Sequence, residues 1–424
     1  MIRSSVSIEA PSPLLPRRRR SRKGSLRTVA LLGPAFVAAI AYVDPGNVAA
    51  NLTAGAKYGY LLVWVLVLAN AMAVLVQYLS AKLGLVTGKS LPEMLGTRLR
   101  TGNRRAFWLQ AEAMAIATDL AEVIGGAIAL NLLFGVPLFV GGLITGVVSM
   151  GILSIQSRRG QRTFEFVVIG LLTIITVGFL TGLAFTDVSG PDALAGLVPR
   201  FEGTETVLLA ASMLGATVMP HAIYLHSALA RDRHGNDLEG PRLARLLRVT
   251  KWDVVGALIV AGAVNIGMLL LAASALRGIP GTDSIDGAHA AIQNSLGPTV
   301  AVIFAVGLLA SGLASTSIGC AAGSEIMYGL LSMRIPLLLR RVVTLIPALV
   351  VLAAGVDPTF ALVLSQVVLS LCIPFAVVPL VRMTSDRDLM GVHRNATATT
   401  VAAWVAAALI VVLNVSLLWL TFTG

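Results

Sequence analysis

The stretch "AYVDPGNVAANL", residues 41–52, falls inside a run that otherwise reads as a membrane-crossing helix. No charge occurs from Leu31 to Val43, and then an aspartate, a proline, a glycine and an asparagine follow in order. Proline removes a backbone donor, and glycine disfavours helix. In hydrocarbon such a break is tolerated only where it faces protein or a wet cavity. Asp44 comes about 13 residues into the run, roughly 20 Å deep at 1.5 Å per residue, near the bilayer midplane. A proline kink, with the aspartate capping the next half-helix, accounts for the break. It does not account for a carboxylate at this depth. Ionisable residues inside a membrane are functional by default.

The rest of the chain supports a membrane setting. Of 424 residues, 56% are hydrophobic and 12% charged, about half the charge content of soluble domains. Apolar runs of about 20 residues suffice to span. Eleven spans are expected, near 31–56, 60–85, 106–133, 137–155, 164–186, 205–230, 251–276, 299–330, 341–356, 359–383 and 399–422, the ninth being short. The net charge of +11 raises the question of a nucleic-acid partner. Its distribution answers it: 28 of the 32 lysines and arginines lie in the N-terminal arm and in every second connection after it. This is the positive-inside pattern. It predicts a cytoplasmic N-terminus, an outside C-terminus and no nucleic-acid role. Residues 1–25, with "RRRRSRKGS", read as a flexible basic cytoplasmic arm suited to anionic lipid. A cleaved signal is the rival reading of this segment, and ten further spans argue against it.

Several motifs fall away. Cys320 and Cys372 are isolated and read as packing residues. "GLVTGKS" (84–90) has three residues between its glycines where a phosphate loop needs four, so ATP is not the expected energy source. No H-E-x-x-H occurs.

A second break mirrors the first. Span six carries "GATVMPHAIYLHSAL", residues 215–229, with Met219 roughly 21 Å deep from the opposite side. Spans one and six are five apart, and the odd offset reverses their direction. Paired interrupted helices at matching positions of two halves mark inverted-repeat transporters, with the substrate between the breaks. The organisation expected is 26–186 as a first repeat of five helices, 187–398 as a second, and 399–424 as an added helix. Asp44 offers a hard anionic oxygen, Asn47 a neutral one, and Met219 a soft thioether. Unwound backbone near Ala41 and Ala216 frees carbonyls. Ca²⁺ and Mg²⁺ prefer oxygen alone, and a mixed set suits Mn²⁺ or Fe²⁺ and admits Co²⁺ and Cd²⁺. Gln366 in "SQVVLSLCIPF" adds an amide from span ten.

Span three reads "QAEAMAIATDLAEVIGGAIAL", residues 110–130. Glu112, Asp119 and Glu122 lie within about 80° of one another on its helical wheel, along about 15 Å. Carboxylates facing a bundle interior pair or exchange protons, and Arg340 and Arg341 are the candidate cations. A buried ion-pair network that merely fixes packing is the alternative. His221 follows directly on Met219-Pro220 and suits proton coupling. His226 is the weaker candidate, and His234, His289 and His393 read as loop or interface residues.

"DPGN" at 44–47, "MPH" at 219–221, "TDLAEVIGGA" at 118–127 and the arginine pair 340–341 together resemble the Nramp family, the natural-resistance-associated macrophage protein metal transporters. The bacterial manganese-importing branch is the nearest in pattern. The resemblance runs from Leu32 to about Phe422. It implies an all-α LeuT-type fold of 11 transmembrane helices, with 5+5 inverted repeats and helices 1 and 6 unwound at the midplane. It further implies proton-coupled import of Mn²⁺ or Fe²⁺ across a bacterial plasma membrane. No permanently bound cofactor, no enzymatic activity and no obligatory protein partner go with it. It assigns the metal to Asp44, Asn47, Met219 and the carbonyls of Ala41 and Ala216, with Gln366 joining in some conformations. Proton handling goes to Asp44, Asp119 and Glu122, with His221, Glu112 and Arg341 as accessories. One stretch departs: "SGLASTSIGCAAGSEIMYGLL" (311–331) has Leu313, Ser324 and Tyr328 where the family pattern has Gln, Gln and Glu. Rival readings are an amino-acid or Na⁺-coupled carrier, whose anionic substrate group Asp44 would repel, and Mg²⁺ transport, which Met219 opposes. A passive channel is a further rival. An intramembrane aspartyl protease would need a G-x-G-D signature, which is absent.

Overall fold

The computed structural model describes residues 34–159, 161–234 and 240–423, so the arm 1–25 lies outside the described residues. Helices account for nearly every described element. In chain order they are α1 (Pro34–Ala39), α2 (Pro45–Tyr58), α3 (Val63–Thr87), α4 (Leu91–Arg98), α5 (Thr101–Phe134) and α6 (Leu138–Arg159). Next come α7 (Gln161–Ala184), α8 (Gly190–Ala195), α9 (Thr204–Thr217), α10 (Pro220–His234), α11 (Gly240–Ala275) and α12 (Ile285–Leu296). The last are α13 (Pro298–Leu331), α14 (Leu337–Ala353), α15 (Pro358–Ser385), α16 (Arg387–Met390) and α17 (Thr397–Thr423). A 3₁₀ turn, Ile40–Val43, follows α1.

Each expected span coincides with a helix or a broken pair. Among the described residues, eight segments are long and apolar enough to cross a membrane, and Pro34–Val43 and Leu138–Ser154 are shorter apolar helices. The ninth expected span is α14, 17 residues with Pro347 inside it. Outward faces are apolar too: Phe166, Val177, Trp419 and Phe422 are among the large exposed side chains, as suits lipid contact.

Local chemistry sets the helix ends. Ser90 and Glu93 form a reciprocal capping box at the start of α4, satisfying two otherwise orphaned donors. Gly88 and Gly135 close α3 and α5 in the left-handed region, at φ 65° and 66°, where a side chain would be strained. The short α4, α8, α12 and α16 connect the long helices.

Close approach of helices around the first break depends on missing side chains. A Cβ on Gly125 of α5 would run into the Pro45 ring, and one on Gly46 would meet the side chain of Gln366. Overpacking of this kind typically costs about 1–3 kcal/mol. Gly125→Ala should therefore lower the thermal midpoint by several degrees by displacing Pro45. Differential scanning fluorimetry measures the shift; an unchanged midpoint would contradict this packing.

Candidate metal centre

The first broken helix ends in the 3₁₀ turn, and Asp44 is extended at φ −79°, ψ 166°. Helix resumes at Pro45, which needs no N–H at the first helical position. Asp44 caps it, its Oδ1 accepting from Asn47 N at 2.9 Å. The proline kink and cap expected from sequence are both present, and they aim the carboxylate inward. The second break lies between α9 and α10, where Val218 takes φ −102°, ψ 66° and Pro220 restarts the helix.

The two breaks meet. Asn47 Nδ2 donates to Asp44 Oδ1 at 2.9 Å and to the Ala216 carbonyl at 2.7 Å. From α15, Gln366 Nε2 donates to Asp44 Oδ2 at 3.1 Å. Asp44, Asn47, Ala216 and Gln366 are thus joined directly. Ala41 is buried in the 3₁₀ turn, and Met219 is buried in the unwound step between α9 and α10. Asn47 Oδ1 and Gln366 Oε1 are buried without a hydrogen-bond partner. Two unpaired neutral oxygens beside a carboxylate make a ready donor set for a cation, since buried polar atoms normally find partners. Among the described residues no group of three or more His, Cys, Asp or Glu is placed to hold a metal; the donors here are one carboxylate, amides and carbonyls, with Met219 in the second break.

Two of the three carboxylates of α5 are ion-paired to arginines, and Glu122 is not. Glu112 accepts three contacts of 3.0–3.1 Å from Arg340. Asp119 forms an ion pair with the fully buried Arg341 at 3.1 Å, and Arg341 Nε donates to Ser149 Oγ at 3.0 Å. Asp119 and Arg341 are also the electrostatic neighbours of Glu122. Glu122 is wholly buried, yet neither of its oxygens completes a hydrogen bond. It faces Gly319 of α13, where an added Cβ would lie 3.3 Å from both oxygens. His221 Nδ1 is 3.4 Å from Thr118 Oγ1 on the same helix as these acids, with its Nε2 unpaired.

Sequence reasoning missed the groups that support the break. Asn265 Nδ2 donates to the Tyr42 carbonyl at 2.8 Å, and Ser311 Oγ to the Val43 carbonyl at 2.5 Å. Both satisfy backbone oxygens that the unwinding frees. Gln77 links Tyr42 to His226, its Nε2 donating to the Tyr42 hydroxyl and its Oε1 accepting from His226 Nδ1 over 2.7 Å. Isolated Asn and Gln residues inside spans two and seven were the available signal.

Both ends are latched. On one side Lys57 and Tyr58 of α2 each lie 2.7 Å from the Glu205 carboxylate of α9. On the other, Arg231 of α10 pairs with Glu93 and, at 3.4 Å, with Glu325. The departure noted at 311–331 falls here: Glu325 contacts Arg231, and Arg334 lies 4.5 Å over the Tyr328 ring.

Residues 35–420 match the natural resistance-associated macrophage protein-like family, Nramp. The divalent metal cation transporter MntH of Mycobacterium tuberculosis is 61% identical over 395 residues, covering 93% of this chain and 92% of that protein. The Bacillus subtilis protein of the same name is 46% identical, covering 92% of each chain. Among solved structures, the Eremococcus coleocola manganese transporter superposes at TM-score 0.84 with 29% identity, over 96% of this chain and 88% of that one. Mhp1, a nucleobase-cation-symport-1 family transporter, superposes at 0.53 with 15% identity, over 92% and 93%. That last likeness speaks to the LeuT-type fold alone.

Proposed function

Because the chain belongs to the Nramp family, whose members are transporters and not enzymes, we propose that it imports divalent transition-metal ions, Mn²⁺ and also Fe²⁺, together with protons. The observation that carries the reading is the buried Asp44 carboxylate between two broken helices, with the unpaired Asn47 and Gln366 oxygens beside it. Asp44, Asn47, Met219, Gln366 and the carbonyls of Ala41 and Ala216 form the proposed ligand set. Every one of these residues is sealed from solvent. Entry and exit therefore require the half-helices to move, alternately opening the site to each side. Repeats 26–186 and 187–398 supply the moving halves, with 399–424 as the added helix. The membrane is the bacterial plasma membrane, with the N-terminus cytoplasmic and the C-terminus outside, as the basic residues indicate.

Protons leave by a separate route. Asp44, Asp119 and Glu122 form the relay, with His221 as an accessory at its metal end and the Glu112–Arg340 and Asp119–Arg341 pairs setting its electrostatics. Inward proton flow then drives metal accumulation, with Mn²⁺ or Fe²⁺ as substrate and no resident cofactor.

Met219 sets selectivity, since a thioether favours softer ions than Mg²⁺. In proteoliposomes, Mn²⁺ uptake should persist in a large excess of Mg²⁺. Met219→Ala should lose on the order of tenfold of that discrimination, with Mg²⁺ competing or entering. Unchanged Mg²⁺ rejection in the variant would remove Met219 from the ligand set. Failure of the parent protein to take up Mn²⁺ at all would overturn the metal reading.

A further inference from the structure

A groove of about 620 Å³ lies between α4, the start of α5 and the second half of α15, at the end of the bundle that carries the basic residues. One wall is apolar. Phe107 and Phe375 meet edge to face at 5.9 Å, flanked by Leu99 and Val378. Phe375 remains 45% exposed. The rim is charged: Arg98 and Arg382 both line it, against the single carboxylate of Asp386. Arg98 lies 3.7 Å from Asp386. That carboxylate is shared, because its other oxygen accepts from Asp388 N at 2.9 Å to cap α16. Two guanidiniums facing one divided carboxylate leave the rim net positive.

We propose that this groove seats one anionic phospholipid, with its phosphate between Arg98 and Arg382 and an acyl chain against Phe107 and Phe375. Guanidinium forks match phosphate oxygens, and basic pockets beside cytoplasmic helix ends favour acidic headgroups. A free phosphate would use the rim and leave the aromatic wall uncovered. A zwitterionic lipid would cover the wall and gain little at the rim. Only an anionic amphiphile satisfies both parts. The cytoplasmic placement rests on the orientation proposed above.

The groove is coupled to the metal centre through α15. Pro374 and Pro379 lie inside this helix and line the groove, while Gln366 on the other side of them touches Asp44. A lipid held at the prolines steadies the half of α15 that positions Gln366. The lipid is thus a positioning ligand for the transport cycle.

Native mass spectrometry of the full chain, with phosphatidylglycerol or phosphatidylcholine of identical chains, tests the site. One tightly held phosphatidylglycerol is expected, preferred over phosphatidylcholine. Arg98→Gln and Arg382→Gln should each weaken it about fivefold. Arg387→Gln and Arg394→Gln, exposed and outside the groove, should leave it unchanged. Phe375→Ala should weaken both lipids alike. Equal loss from the groove and the distant arginines would mean diffuse attraction and overturn the site. Displacement of the lipid by millimolar inorganic phosphate would reassign it as a free-anion site. Thermal midpoints matching the parent protein keep the variants interpretable. Binding is read without transport, so a parent protein inert toward Mn²⁺ would sink the transport reading and leave this one standing.

Discussion

Asp44→Asn should lower Mn²⁺ affinity by on the order of 100-fold or more and abolish accumulation, while the protein still folds. Asparagine caps a helix about as well as aspartate, so the cap on Asn47 N survives the change. What disappears is the negative charge that holds Asn47, which itself reaches the second break at Ala216, and Gln366 of α15. Losing even an outer partner of a metal ligand typically costs 10–100-fold, and a direct anionic ligand costs more. Asp44→Ala is the less informative variant, because it also removes the cap at about 1 kcal/mol. Isothermal titration of Mn²⁺ into purified protein, paired with a thermal melt, separates loss of charge from loss of fold. Mn²⁺ binding by Asp44→Asn within a few-fold of the parent would remove this carboxylate from the site.

Glu122→Gln should flatten the acid stimulation of uptake while leaving Mn²⁺ binding within a few-fold of normal. The two other acids on α5 are tied to arginines, whereas Glu122 has no arginine ion pair and neither of its oxygens completes a hydrogen bond. A neutral amide of the same shape therefore breaks no arginine ion pair and changes only the contact with Asp119 and the charge near Arg341. It removes only the group free to take and pass a proton. Asp119→Asn provides the contrast. It leaves Arg341 buried without its counter-charge, and breaking such a pair typically costs about 3–5 kcal/mol. A fall in expression and melting temperature is expected there and not in Glu122→Gln. Uptake by Glu122→Gln measured from pH 5.5 to 7.5 would show a level profile; a profile as steep as the parent's would exclude Glu122 from the relay.

The breaks were legible because their chemistry conflicts with their surroundings. A carboxylate, two prolines and a glycine stand out in apolar runs, and their matching depth needs only a rise per residue. The carboxylate face of α5 was legible from periodicity for the same local reason. Pairings across the bundle were less so. Arg340 and Arg341 could be nominated as cations, but which acid each holds depends on the packing of α14 against α5. Gln366 could be placed on span ten from its residues, and beside Asp44, 322 residues away, only through the family resemblance. Asn265 and Ser311 escaped notice because their role is to satisfy carbonyls more than 220 residues distant. Glycine at 125 carries no local signal at all. Its reason is the Pro45 ring on another helix.

Coupled flux of metal and protons through one protein is the defining property of a proton-driven importer. Proteoliposomes loaded with a pH-sensitive dye, given outside Mn²⁺ and an acidic exterior with Mg²⁺ in excess, report both at once. Mn²⁺ should accumulate beyond equilibrium, accompanied by lumenal acidification that depends on Mn²⁺ and is absent in Asp44→Asn. Mn²⁺ entry that stops at equilibrium and moves no protons would contradict proton-coupled import, leaving a passive metal pathway in place of a proton-driven importer.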